Sequence, residues 1–144
     1  MNRDGKIKIL FLCTGNSCRS QMAEGLMRHL RGEEFEIFSA GSEPKGIHPL
    51  AIEVMMEIGI DISTQRSKHL DEYAEERFDY IITLCDDAAA TCPMFLGDGK
   101  ILHRGFPDPA TAEGSREDKL QMFRRVRDEL KEFILSFSDN REIN

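Results

Sequence analysis

Between Lys6 and Cys13 the chain carries an almost unbroken apolar run, Ile7, Ile9, Leu10, Phe11 and Leu12, which ends in a loop containing glycine and leads directly into a helical pattern. A strand with one solvated face alternates apolar and polar residues, whereas continuous burial belongs to a parallel strand covered on both sides. This segment alone therefore predicts a central strand with helices above and below it. Beyond the loop, apolar residues fall at Met22, Leu26 and Leu30, widened by Ala23 and Met27, with Ser20 as candidate N-cap.

The strand–loop–helix unit then recurs. Glu36 to Ala40 reads as a second strand closed by Gly41, and Leu50 to Ile58 as a helix stopped by Gly59. Asp79 to Leu84 is a third strand, Asp86 to Thr91 a short helical or turn segment stopped by Pro93, and Lys100 to Leu102 a fourth strand. Gly105 to Gly114 is a loop, and Leu120, Phe123, Val126, Leu130, Phe133, Ile134 and Phe137 mark the buried face of a long final helix. Strands alternating with helices imply right-handed crossovers and a doubly wound parallel sheet. The expected fold class is α/β, one open parallel four-stranded sheet with helices on both faces, in a single domain spanning residues 1–144, with no internal repeat or linker.

Composition narrows the function classes. At 144 residues the chain suits one domain with a real core, and 40% apolar with 31% charged residues is ordinary for a globular protein. A net charge of −7 leaves no basic stripe to displace phosphate counterions, which argues against nucleic acid. The cluster Arg124, Arg125 and Arg127 alternates with acids and reads as a solvated helix face. No apolar run reaches the roughly 18 residues of a membrane span, and the run from Ile7 lacks a signal's cleavage flank. A cytoplasmic protein is the expectation, and there four cysteines are unlike a structural disulfide set. They are inert, metal-binding or redox-active, and spacing must decide.

In open parallel sheets ligands gather at the carboxyl ends of strands, beside a reversal of strand order. The loop there is Cys13-Thr14-Gly15-Asn16-Ser17-Cys18-Arg19-Ser20, of the form C-x5-R-S. A loop turning into a helix N-terminus aims free amides and the positive end of the helix dipole into one concavity, which suits a tetrahedral dianion. Arg19 adds a planar fork that holds two oxygens at once. The same field favours a Cys13 thiolate, to which Ser17 or Ser20 can donate a hydrogen bond. Gly15 and Asn16 tolerate the backbone such a turn needs. Cys18 either packs beneath the loop or takes part in its chemistry. The loop is not an ATP site, because G-x4-G-K-[ST] is absent. Zinc is disfavoured too: only Cys13 and Cys18 approach ligand spacing, six residues separate Cys85 from Cys92, and His29, His48, His69 and His103 form no ligand pattern. The histidines read as surface or helix-end residues, and neither metal nor cofactor is expected.

The run from Cys13 through Ser20 to Gln21-Met22-Ala23-Glu24-Gly25 resembles the signature of the low-molecular-weight tyrosine phosphatase superfamily, and specifically its thioredoxin-coupled arsenate reductases. The likeness extends over nearly the whole chain. It implies strand order 2-1-3-4, Cys13 as nucleophile, the loop Thr14 to Ser20 as oxyanion cradle with Arg19 as ligand, and Asp108 of Pro107-Asp108-Pro109 as general acid. Thr83-Leu84-Cys85 through Cys92-Pro93 is similar to the reductases' redox segment, and Ala110 stands where the phosphatases usually carry an aromatic. The implied reaction is reduction of arsenate, with phosphate or sulfate as competing oxyanions. Oxidation passes from Cys13 to a Cys13–Cys85 disulfide, then to Cys85–Cys92, and is cleared by thioredoxin. The alternative is a phosphatase acting on phosphomonoesters through Cys13, Arg19 and Asp108; a non-catalytic thiol sensor would have no use for Asp108. A monomer is expected. Some reductases of this kind bind potassium through positions matched by Glu24 and Ser39, but Lys68 stands where they place an aspartate, so no potassium activation is expected.

One consequence follows from helix geometry. If residues 85–92 were helical, a separation of seven at about 1.5 Å per residue would hold the two Cα atoms about 10.5 Å apart. A disulfide spans no more than about 7 Å, so its formation would require that segment to unwind.

Overall fold

The protein is described by a computed structural model over residues 6–85 and 99–140. Four strands, β1 (Ile7–Leu12), β2 (Phe35–Ala40), β3 (Tyr80–Thr83) and β4 (Lys100–His103), pair in parallel in the order β2-β1-β3-β4. The run that opened the sequence is central: Ile9, Leu10 and Phe11 are wholly buried, with β2 on one side and β3 on the other. Strand β4 lies at the edge, and its residues are mostly exposed.

Among the described residues three α-helices, α1 (Arg19–Arg31), α2 (Pro49–Met56) and α3 (Arg116–Asn140), pack on one another. Phe35 of β2 meets Phe137 of α3, and Ser39 reaches Glu24 of α1, so the odd-numbered side chains of β2 face these helices. By the two-residue period of a strand, Phe38 points the opposite way. There it stands edge-on to Tyr73 and Phe78, under a short 3-10 turn, Leu70–Tyr73, that the sequence pattern does not announce. The core joins β1 to Met22, Leu26 and Met27 of α1 and to Phe123, Val126, Leu130 and Ile134 of α3. Among the described residues no helix is long and apolar enough to cross a membrane.

Local chemistry explains the boundaries. Helix α2 starts at Pro49, which has no amide hydrogen to waste at a first position, and His48 Nδ1 accepts from the Leu50 amide at 3.1 Å. At the other end Gly59, at φ +79°, reverses the chain so that the Ile60 amide donates to Met55 O and the Gly59 amide to Met56 O, both orphan carbonyls of the last turn. His48 and His69 thus take helix-end roles, His69 Nδ1 accepting from the Asp71 amide.

Two sequence readings need correction. Ser20 does not cap α1: the cap position is Cys18, without a side-chain hydrogen bond, and Ser20 lies one residue inside the helix with its hydroxyl turned inward. Arg127 is not on a solvated face. It is buried against the end of α2, where its guanidinium donates to Val54 O at 2.8 Å and to Glu57 at 2.9 Å, while Arg124 grips the same Glu57 carboxylate. Alternating charges along α3 say nothing about which helix will dock beside them. The loop expected at 105–114 also contains a 3-10 turn, Pro109–Thr111. Residues 86–92, with Cys92 among them, and Pro93 lie outside the described residues.

Candidate active site

Strand β1 delivers Cys13 to the floor of a pocket of about 460 Å3 whose lining includes Thr14, Gly15, Ser17, Cys18, Arg19, Lys45, His48, Asp108 and Ala110. What shapes the loop is the direction of its carbonyls. Thr14 O accepts from the Glu43 amide, Gly15 O from the Lys45 amide, and Ser17 O from the His48 amide, at 2.9–3.1 Å. Asn16 O accepts from Gln21 Nε2 and from the Ser67 hydroxyl. In a trans peptide the N–H opposes the C=O. Carbonyls fastened outward thus leave the amides of Gly15, Asn16, Ser17 and Cys18 directed to the pocket side, next to the uncapped first turn of α1. Such a nest of donors is built for an anion.

The cradle depends on Gly41. A Cβ there would stand 2.4 Å from Thr14 O, 2.5 Å from Cys13 O and 2.9 Å from the Asn16 nitrogen, closer than any of these backbone atoms allows. Asn16 holds φ 45°, the left-handed conformation the sequence anticipates. Its side chain, wholly buried, accepts from the Lys68 amide (2.7 Å) and from Gln21 Nε2 (2.9 Å), and donates to Ser20 (2.8 Å) and Ser39 (3.0 Å).

Those bonds have a direction. Ser39 donates to the Glu24 carboxylate at 2.5 Å, so its oxygen accepts from Asn16. Asn16 spends its other amide hydrogen on the Ser20 oxygen, which leaves the Ser20 hydrogen free for Cys13 Sγ at 2.9 Å. The Ser20 hydroxyl is thus a donor aimed at the sulfur that the sequence marks as nucleophile. Of the two serines considered from sequence, Ser20 holds this place; the Ser17 hydroxyl instead accepts a long contact from Cys18 Sγ at 3.9 Å. Burial pushes the Cys18 thiol up to about 12, so it stays protonated beside an anion site.

Arg19 donates to Phe106 O at 3.0 Å, and its guanidinium lies 3.6 Å from the Asp108 carboxylate across the pocket. Its Nε is buried and has no partner among the described residues, a donor in place for an incoming oxygen. Asp108 caps the Pro109–Thr111 turn by accepting from the Ala110 amide, and its side chain is 39% exposed. Cys85, just past β3, is 7% exposed, and its Sγ stands 3.5 Å from the Thr14 hydroxyl, beside the residue that follows Cys13.

The residues proposed from sequence thus separate by position. Cys13, Thr14, Gly15, Ser17, Cys18, Arg19 and Asp108 line one pocket, Asn16 and Ser20 brace it from behind, and Cys85 stands at its edge. Lys45 and His48 join the lining although no sequence motif marks them. Glu24, Ser39 and Lys68 do converge, but not around a metal ion. Lys68 Nζ donates to Arg66 O at 2.5 Å and lies 3.6 Å from the Glu24 carboxylate, with both side chains buried. With the Arg28 guanidinium 2.7 Å from the other carboxylate oxygen, the ammonium completes the positive charge that Glu24 requires, so these residues do not fit a potassium ion. No cluster of three or more metal-ligating side chains occurs among the described residues.

Residues 8–142 match the model of the low molecular weight phosphotyrosine protein phosphatase family. The arsenate reductase of Bacillus licheniformis is 50% identical over 95% of this chain and 99% of its own length. That of Halalkalibacterium halodurans is 49% identical over 91% of this chain and 94% of its own. A solved arsenate reductase in the phosphate binding state superposes with a TM-score of 0.73 at 34% identity, covering 91% of this chain and 95% of that one. Another, in the reduced state, gives 0.75 at the same identity and coverage.

Proposed function

Because the chain belongs to the low molecular weight phosphotyrosine protein phosphatase family, with arsenate reductases among its relatives at about half identity, we propose that it reduces arsenate to arsenite through a three-thiol relay. One observation carries the choice over simple phosphoester hydrolysis. A second thiol, Cys85, is buried 3.5 Å from the Thr14 hydroxyl at the edge of the anion cradle, where a hydrolase has no use for it.

In this reading the Cys13 thiolate attacks arsenic and forms a sulfur–arsenic bond, while Asp108 protonates the departing hydroxide, which leaves as water. Arg19 and the loop amides from Thr14 to Ser20 neutralise the oxyanion throughout. The Cys85 thiolate then attacks Cys13 sulfur; the sulfur–arsenic electron pair goes to arsenic, arsenite leaves, and a Cys13–Cys85 disulfide remains. Cys92 attacks Cys85, frees Cys13 and carries the oxidation as Cys85–Cys92 to a dithiol reductant of the thioredoxin kind. A cytoplasmic monomer suits this chemistry, because that compartment supplies the reductant.

The test mixes the protein with thioredoxin, thioredoxin reductase and NADPH, and follows NADPH loss on adding arsenate. Cys92→Ser is expected to stop turnover while aryl phosphate hydrolysis continues. Wild type and Cys92→Ser behaving alike in both assays would overturn the reductase reading in favour of the phosphatase.

A further inference from the structure

The pocket belongs to a chain of net charge −7, so the molecule's overall field repels the dianion that its cradle is shaped to hold. Capture has to come from charges at the pocket itself. Beside the nucleophilic Cys13 sulfur, three side chains that carry formal charge line it: Arg19, Lys45 and Asp108. His48, also in the lining, is held neutral, since burial lowers its pKa and Nδ1 is occupied as acceptor for the Leu50 amide. Arg19 and Asp108 stand 3.6 Å apart and largely cancel at a distance. Lys45 is the cation of the lining left without a partner among the described residues.

Its placement is built by the fold. The Lys45 amide donates to Gly15 O at 3.0 Å, which pins the residue across the oxyanion loop. The side chain folds back over that loop, with Cδ and Cγ 3.5 and 3.7 Å from the position a Cβ on Gly15 would take, in ordinary van der Waals contact. Gly15 therefore seats the lysine stem as well as making the turn. Among the described residues no carboxylate or carbonyl holds the ammonium, and the residue is exposed. A long side chain usually extends into water; this one lies along an anion site with its charge unspent.

We propose that Lys45 is the pocket's electrostatic capture residue, drawing the tetrahedral dianion to the cradle without taking part in the chemical steps. This rests on the oxyanion-binding reading of the site. By Coulomb's law in a water-like medium, a unit charge well within a Debye length of a dianion changes its binding by roughly five- to tenfold at low ionic strength, and salt screens it. Interactions equal in ground and transition state move KM and leave kcat alone.

In the coupled assay at low ionic strength, Lys45→Ala is expected to raise the KM for arsenate about 5- to 10-fold with kcat within about twofold, and Lys45→Glu to raise it further. Lys45→Arg should restore the wild-type value, and adding sodium chloride should shrink the gap between wild type and Lys45→Ala. Titration calorimetry with inorganic phosphate reads the same contribution without turnover. Wild type that binds phosphate but consumes no NADPH with arsenate would count against the reductase reading alone. Equal phosphate affinity in wild type and Lys45→Ala at low salt would overturn the role of Lys45, as would a fall in kcat with KM unmoved.

Discussion

The two walls of the pocket are held in opposite ways. On the loop wall Asn16, Ser20, Gln21 and Ser39 are all wholly buried and bonded to one another, and every carbonyl from Thr14 to Ser17 is fastened. On the acid wall Asp108 is half-buried, held by its own Ala110 cap and by prolines on either side. The first wall is part of the core and shares its stability; the second is a surface turn that bears a reactive group. Damage to the loop wall should therefore cost folding and chemistry together, and damage to the acid wall chemistry alone.

The strongest attempt to break this contrast is Asn16→Ala. It removes four buried hydrogen bonds and places alanine at φ 45°. At about 1 kcal/mol per bond, a loss of at least about 4 kcal/mol in chemical denaturation is expected, along with a fall in kcat of more than about a hundredfold. An activity loss at full stability would show that the network is not part of the core. Asp108→Asn is the complementary change. It keeps a cap acceptor but no acid, so kcat should fall about 10- to 100-fold while stability moves by less than about 0.5 kcal/mol.

A smaller effect links the walls to pH. Burial lowers the pKa of His48 below the ordinary 6.5, so the unfolded chain binds this proton more readily than the fold does. The stability His48 contributes is thus complete above about pH 6.5 and declines as pH falls toward its lowered value. His48→Asn, which can still cap α2, should flatten that slope below about pH 6.5 in urea titrations. Smallest of all is the response to potassium. With the Lys68 ammonium beside Glu24, potassium and sodium chloride at equal concentration should change the melting temperature and kcat alike. A potassium-specific gain would contradict the assignment.

Legibility in the sequence followed the same division. The strand order, the central burial of β1 and the pairing of Cys13 with Arg19 were readable because each rests on contiguous residues or on the resemblance those residues carry. Asp108 gained its role only from the resemblance, since a proline-flanked aspartate is otherwise a turn. The brace behind the loop is readable only in pieces: the sequence offers Ser20 as a donor to Cys13, the resemblance groups Glu24, Ser39 and Lys68, and the bonds that join them through Asn16 come only with the folded sheet. Serine beside a helix usually caps it, but the Ser20 hydroxyl is turned inward toward the Cys13 sulfur. Arg127, whose alternation with acids reads as a solvated face, and Lys45, which no motif marks, share one reason: charged residues take their meaning from the surface they fold against.

Gly41 touches no reacting group, lies after the end of β2, and gives its own hydrogen bonds to the 68–70 segment. Its lack of a side chain is nevertheless what allows the loop carbonyls to pass. The site is thus vulnerable at a position that a search for reactive residues would overlook. In a saturation library at this codon, alanine, one carbon larger, should already be among the inactive clones.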